Sequence, residues 1–253
     1  MSTGFNDNLD PVLRLLACRK YPEAESLARG RLDALKKEPG PAALPVARAA
    51  RLAAEVLLEQ GRGEEAAELV GEMRRRYRPF ASQPGVFAEG QLTYAIWAFL
   101  TDQSLEAETA LGAVLSATRE DPAARRTYAR ALRFEAHMEI LRFEVDRGVE
   151  LLEAALKQTT SPDAESALLR WQYLFSLAEV RVMRDEPGLA RELVALAEEL
   201  MAMRFAGDRE LQKHGRERAE MTRQAADEAE KAPGLGVDEA ELLEAMRKTR
   251  GEP

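Results

Sequence analysis

The chain has few of the residues from which metal sites and catalytic sites are usually built. Its 253 residues include one cysteine, Cys18, and two histidines, His137 and His214. A single cysteine excludes an intrachain disulfide and a cysteine-based zinc site. The histidines lack metal-ligand spacing, and the chain has no phosphate-binding glycine loop, nucleophile elbow or HExxH string. These absences predict a non-catalytic protein that holds no metal and no cofactor.

Long apolar runs and an excess of basic charge are missing too. No stretch reaches the roughly 18 uncharged apolar residues of a membrane span, and the first residues do not resemble a secretory signal. The formal net charge of −8 argues against nucleic acid or anionic lipid as the main partner, because phosphate contacts need a basic surface. We therefore expect a cytoplasmic protein. The abundance of alanine and arginine is typical of a GC-rich, bacterial genome.

Strand-forming patterns are rare, whereas Ala, Leu, Glu and Arg, which favour helices, dominate the chain. The prolines fall between segments of single-helix length, as expected for residues that start or break helices. Short polar turns join these segments into antiparallel pairs. The predicted first helices are 10–19, 42–60, 87–101, 123–145 and 163–184, and the predicted second helices are 22–37, 63–77, 105–119, 147–157 and 187–204.

A small or apolar residue returns at a nearly constant interval near the start of each second helix. Ala24, Ala66, Ala107, Val149 and Ala190 are separated by 42, 41, 42 and 41 residues. A fixed period in this range is typical of a solenoid, in which each unit stacks on its neighbours. The sequence thus predicts an all-α solenoid of about five antiparallel helix pairs.

These repeats resemble the tetratricopeptide (TPR) family. Gly61, Ala66, Met73 and Pro79 follow the family's turn-and-second-helix pattern, and Ala54 occupies its small position in the first helix. The fourth unit departs from the pattern, with His137 and Val149 at the two small positions. The period is longer than the family's usual repeat, so the chain resembles a long-helix variety. The resemblance implies a right-handed superhelix without catalytic activity that binds a protein or peptide on a concave surface lined by first helices.

Aligning the first helices with the family's groove predicts which residues would meet a partner. Because the first helices are apolar on nearly every side, the same positions can instead be core residues, and the sequence leaves both interpretations open. The predicted partner-binding groove consists of Arg51, Glu55, Leu92, Ile96, Phe99, Phe134, Met138, Phe175 and Glu179.

The densest basic cluster consists of Arg74, Arg75, Arg76 and Arg78. It is a candidate docking site for a phosphate or an acidic peptide. It also lies at a predicted helix C-terminus, where the helix dipole favours cations without any ligand.

Three segments are predicted: a repeat domain over 1–207, a charged capping helix over 208–231, and a linker with a short amphipathic tail over 232–253. The tail is either a ligand for a groove, in the same or another molecule, or a weakly ordered end. The function we expect is that of an adaptor or assembly subunit. The alternatives are a regulatory sensor that responds to a ligand or peptide and a structural subunit that self-associates through its ends or its tail.

Overall fold

A computed structural model describes residues 9–38 and 43–231. Within these ranges there are eleven α-helices, two 3₁₀ turns (Arg78–Phe80 and Pro122–Ala124) and no strand. The helices are α1 Pro11–Ala17, α2 Tyr21–Lys37, α3 Ala43–Leu58, α4 Gly63–Tyr77, α5 Pro84–Leu100, α6 Ser104–Thr118, α7 Arg125–Leu141, α8 Val145–Gln158, α9 Ala164–Met183, α10 Pro187–Arg204 and α11 Arg209–Lys231.

The helices follow one another in pairs joined by three or four residues, which confirms the predicted helix pairing. The chain divides into two compact units, and the boundary lies between Ala131 and Leu132, inside α7. In the N-terminal unit (residues 11–131), α3 packs against α2 and α4, and α5 packs against α4 and α6. In the C-terminal unit (residues 132–231 with 9–10), α9 packs against α8 and α10, and α11 packs on both α9 and α10.

The same backbone turn closes all five helix pairs. Its central residue has a positive φ of between 55° and 70° each time. The next residue donates its N–H to a carbonyl five residues back, as Arg62 does to Leu57 over 3.0 Å and Glu186 does to Arg181 over 2.9 Å. This bond is the signature of a Schellman motif. The positive-φ residues are Arg19, Gly61, Asp102, Phe143 and Asp185.

The turn also starts the second helix of each pair. The residue that completes the Schellman bond accepts, through its own carbonyl, the first hydrogen bond of the following helix. Arg62 accepts from Ala66 over 3.1 Å and Glu144 accepts from Gly148 over 3.0 Å. The distance along the chain from the turn to the small residue is therefore fixed by backbone bonding.

This bonding corrects the register of the fourth repeat. Gly148, not Val149, is the fifth residue after the positive-φ residue, and Ala136, not His137, lies twelve positions before it. A Cβ on Gly148 would lie 2.5 Å from Cγ1 of Ile140. Only glycine fits at this close approach of α7 and α8, so the fourth unit follows the repeat pattern after all. With the corrected register, the residues of the fourth unit that align with the family's groove are Arg133 and His137 instead of Phe134 and Met138.

Several helix ends differ from the prediction. Helix α5 begins at Pro84 rather than 87, because proline in the first turn needs no N–H partner. Helix α7 ends at Leu141 rather than 145, because the turn at Phe143 intervenes. Asp163 caps α9, since its carboxylate accepts the Ser166 N–H over 2.9 Å. The tail lies outside the described residues.

Candidate functional site

The structure places most of the predicted groove residues beneath the surface. Five of the nine have at most 9% of their surface exposed: Glu55, Leu92, Phe134, Met138 and Phe175. The side chain of Arg51 is 11% exposed, and Ile96 and Phe99 are half-buried. Only Glu179 is exposed, and its carboxylate accepts two hydrogen bonds from Arg218. Side chains buried in this way do not offer a partner an apolar surface.

Arg51 and Glu55 belong instead to a buried polar cluster in the N-terminal unit. Oε1 of Glu55 accepts hydrogen bonds from Arg51 at 2.6 Å, from the Thr93 hydroxyl at 2.8 Å and from Arg130 at 2.7 Å. These donors come from α3, α5 and α7, so one carboxylate oxygen joins three helices.

A second carboxylate, that of Glu89, lies beside the first. It accepts two hydrogen bonds from Arg48 and one from the Tyr77 hydroxyl over 3.0 Å. Nε of Arg51 lies 4.0 Å from Oε2 of Glu89, beyond hydrogen-bonding distance, and has no acceptor. The cluster thus holds three arginines against two carboxylates.

The charges in this cluster shift one another's pKa. Burial alone would raise the pKa of Glu55, but Arg130 and Arg51 outweigh it and hold the pKa at about 2. Burial likewise opposes ionisation of Glu89, yet Arg48 and Arg51 lower its pKa. The pKa of Tyr77 is raised, first by burial and then by Glu89. Both carboxylates are therefore ionised at neutral pH and paired inside the unit, which makes the cluster a structural element.

An open apolar groove lies elsewhere in the same unit, along α5. One part has a volume of about 550 Å³ between α5 and α6, and an adjoining part of about 400 Å³ lies between α4 and α5. Phe87 and Gln91 line both parts, so α5 forms a continuous floor. We call this surface the α5 groove; its main apolar lining is Phe87, Tyr94, Leu105, Ala110, Ala113, Val114 and Ala117.

Leu105 is the most exposed large apolar side chain of the groove. It is 74% exposed at the start of α6, whereas the neighbouring Ala107 is fully buried. Thr109 directs its hydroxyl to the carbonyl of Leu105 over 2.7 Å, so this polar group is satisfied within the helix. Apart from Glu106 and Thr109, the α6 side of the groove is therefore formed by apolar side chains, and it is open to solvent.

The predicted basic cluster forms the opposite side of the groove. Arg74, Arg75 and Arg78 line its α4 part and are exposed. The guanidinium of Arg74 lies 3.9 Å from the centre of the Tyr94 ring and thereby joins the basic side to the apolar floor. Arg76 turns away and pairs with Glu72 at 3.5 Å. Three of the four predicted arginines are thus brought together at one surface.

Sequence reasoning missed the α6 side of the α5 groove because it assigned the binding surface to first helices, and on α5 it selected Leu92, Ile96 and Phe99 instead of Phe87 and Tyr94. The signal was present in the second helix α6. From Thr109 to Thr118 this helix has no charged residue, although only Ala110, Leu111, Val114 and Thr118 in that stretch are buried. An outward helix face without charges indicates a surface available for contact.

The described part of the chain contains no group of acidic, histidine and cysteine side chains able to hold a metal ion. None of its helices is both long enough and apolar enough to cross a lipid bilayer.

Comparison with known proteins identifies the fold. No protein-family model and no curated protein matches the chain. Among solved structures, BtubC (BKLC) from P. vanneervenii is similar, with 14% identity, a TM-score of 0.51, and coverage of 95% of this chain and 93% of BtubC. A protein described as a kinesin light chain from Podosopora anserina, with nearly identical TPR-like repeats, has 18% identity and a TM-score of 0.48 over 81% of this chain and 94% of its own length.

The similarity to BtubC, combined with the five recurring turns, defines the class of protein: the chain is an all-α protein built from TPR-like helical repeats. At this level of identity the likeness concerns the fold alone.

Proposed function

We propose that the chain is a non-catalytic protein-interaction module, an adaptor or assembly subunit that binds an amphipathic helix of another protein in the α5 groove. The observation behind the proposal is the combination of an open apolar wall on α6 with three exposed arginines, two at the end of α4 and one in the 3₁₀ turn that follows it. An apolar groove between helices is a common receptor for the apolar face of a partner helix.

The charges of the groove favour a partner helix with acidic residues along one edge. Arg74, Arg75 and Arg78 lie on one side, and Glu106 lies on the other. A partner that places aliphatic side chains on α6 and carboxylates near α4 would satisfy both sides. Such pairing would accelerate association, and its strength would fall with added salt.

The experiment is an affinity pull-down of the tagged full-length protein from its native lysate, compared with the variants Leu105→Glu and Arg75→Glu. Leu27→Glu is the matched control, because Leu27 is an exposed leucine of the same unit (41%) on α2. The partner, identified by mass spectrometry, is then purified and titrated against all four proteins by calorimetry.

Loss of the purified partner's binding in the two groove variants, with Leu27→Glu unaffected, would support the proposal. Equal binding by all four proteins would refute the proposal that the partner binds in the α5 groove. If no partner is found, two further measurements decide between the alternatives. A ligand-induced thermal shift would indicate a sensor, and a mass several times that of the monomer in light scattering would indicate a self-assembling subunit.

A further inference from the structure

The outward face of α10, in the C-terminal unit, carries an apolar stripe that the α5 groove does not involve. Leu189, Leu196 and Met203 are exposed by 44%, 52% and 65% and follow one another at intervals of seven residues. Half-buried Leu193 and Leu200 lie between them. The spacings therefore alternate between four and three residues, the pattern of a heptad seam that packs against another helix.

Only part of this stripe is used in the packing of α10 within its own unit, because Leu193 and Leu200 are half-buried. Helix α10 packs against α9 and α11, and it does so through Ala190, Val194, Ala197 and Met201, which are at most 4% exposed. The apolar surface of the helix thus extends from the core, past Leu193 and Leu200, to exposed Leu189, Leu196 and Met203. Apolar surface that continues into solvent on a surface helix indicates a contact with another molecule.

The charged residues of α10 fall into three groups. On the side away from the stripe, towards α11, Arg191 pairs with Asp227 at 2.6 Å and also with Glu230, and Glu198 pairs with Arg223. At the edge of the stripe next to the core, Arg204 donates to the Pro162 carbonyl over 3.5 Å. On the other flank, Glu192 and Glu199 are exposed, and no ion pair to either is found in the described part of the chain. These two carboxylates lie seven residues apart, so they follow the same side of the seam.

We propose that this face, the α10 seam (Leu189, Leu193, Leu196, Leu200 and Met203, flanked by Glu192 and Glu199), binds a helix of a partner protein with aliphatic residues at heptad spacing and lysines or arginines seven residues apart. The apolar stripe supplies the contact area. The two carboxylates select the partner, because charged residues flanking a heptad seam determine which helices pair. This inference goes beyond the proposed function, since it assigns a second surface with the opposite charge preference.

Charge also argues against a second copy of the chain as the occupant. In a two-fold pair of antiparallel α10 helices, Glu192 and Glu199 of one copy would face the same carboxylates of the other. In a parallel pair Glu192 would face Ala197, which is buried in its own unit, and Glu199 would face Arg204. A second copy thus offers a basic partner to at most one of the two carboxylates, whereas a basic helix offers one to each.

The test uses two synthetic three-heptad peptides with leucine at both seam positions. One has lysine at all flanking positions and the other has glutamate, so that like charges keep each peptide from pairing with itself. Binding of each labelled peptide to the full-length protein is measured by fluorescence anisotropy at low and high salt. We expect the lysine peptide to bind at least about tenfold more tightly than the glutamate peptide, with the difference shrinking at high salt.

Three variants locate the binding. Leu196→Glu should weaken binding of the lysine peptide by about tenfold or more, because it removes an apolar contact at the middle of the seam. Leu105→Glu, which alters the α5 groove, should leave this binding unchanged. The double variant Glu192→Lys with Glu199→Lys should reverse the preference towards the glutamate peptide, and its exposed substitutions leave the core intact.

Several outcomes would overturn the inference. The first is that the protein binds neither peptide. The second is equal binding of both, which would mean that charge does not select the partner. Loss of lysine-peptide binding in Leu105→Glu but not in Leu196→Glu would place the peptide in the α5 groove. A dimer in light scattering that Leu196→Glu converts to a monomer would assign the seam to a second copy.

Discussion

Neutralising Glu55 tests whether the buried polar cluster holds the N-terminal unit together. In Glu55→Gln the side chain keeps its size but loses the charge that accepts hydrogen bonds from Arg51, Arg130 and Thr93. Arg51 and Arg130 then meet a neutral amide in place of a carboxylate, and the Glu89 carboxylate lies 4.0 Å from Nε of buried Arg51. Breaking a buried ion pair by removing one partner costs about 3–5 kcal/mol.

The pKa of Glu55 gives an independent magnitude. It lies at about 2 instead of the ordinary 4.5, and a change of one in a pKa corresponds to about 1.4 kcal/mol. The ionised carboxylate therefore stabilises the fold by about 3 kcal/mol. Because the folded pKa is the lower one, this contribution is complete above pH 4.5 and is lost as the pH falls towards 2. Glu89, whose pKa is also lowered, adds to the same loss.

The chain offers a selective reporter for this experiment. Of its two tryptophans, Trp97 lies on α5 in the N-terminal unit and Trp171 on α9 in the C-terminal unit. In a Trp171→Phe background, fluorescence during urea unfolding follows Trp97 alone, whose indole donates to the Gly63 carbonyl over 3.0 Å. The free energy of unfolding is measured at pH 7 and at steps down to pH 2, as far as the unfolding stays reversible.

Glu65→Gln is the matched control, because Glu65 is an exposed carboxylate of the same unit that pairs with Arg62 at 2.6 Å. Surface pairs of this kind contribute at most about 1 kcal/mol. We expect Glu55→Gln to lower the free energy of unfolding at pH 7 by about 3 kcal/mol and to flatten its pH dependence below 4.5. A loss no larger than that of Glu65→Gln, with an unchanged pH profile, would refute the structural role of the cluster.

The remaining predictions concern the helix turns and follow from local geometry. Gly148→Ala should destabilise the C-terminal unit by about 1–3 kcal/mol, because the added Cβ would lie 2.5 Å from Ile140. Gly112→Ala is the matched control: a Cβ there meets nothing within 4 Å, so this variant should stabilise α6 by up to about 1 kcal/mol. Equal effects of the two variants on the free energy of urea unfolding would contradict the corrected register. Phe143→Gly should raise the free energy of unfolding by about 0.5–1 kcal/mol, because φ at this residue is 64° and a side chain there is strained. Phe143→Ala keeps the Cβ and should show no such gain in thermal unfolding, so a similar gain in both variants would point to loss of the exposed ring instead.

The sequence predicted the fold because the repeat is encoded by small residues at close helix contacts. Ala24, Ala66, Ala107 and Ala190 are fully buried, and larger side chains would separate the paired helices. The fourth repeat was misaligned by one residue because Gly148 and Val149 are both small enough to match the pattern. The positive φ of Phe143 and the close approach of Gly148 to Ile140 distinguish them in the structure, and a phenylalanine gives no sequence signal for a positive φ.

The candidate site was less predictable, because burial of a first-helix residue depends on helices far away in the chain. The carboxylate of Glu55 is enclosed by Thr93 and Arg130, which follow it by 38 and 75 residues. No pattern among neighbouring residues in the sequence predicts such a cluster. The basic cluster was predictable as a surface feature, since consecutive arginines at a helix end cannot all be buried. Its position beside an apolar groove was not, because that depends on how α4, α5 and α6 pack.

The recurring turn explains which parts of each repeat are not constrained by the fold and can form binding surfaces. Five different positions, occupied by Arg, Gly, Asp, Phe and Asp, adopt the same conformation, so the backbone bonds rather than the side chains define the turn. Each second helix needs only its inward face to pack, as α10 does through Ala190, Val194 and Ala197. The outward faces of second helices are therefore free to differ between repeats without cost to the fold. The exposed apolar residues of α6 and α10, Leu105 and Leu196, lie on such faces. The exposed part of such a side chain gains nothing in the folded monomer, which is the physical reason for proposing both faces as contacts with other proteins.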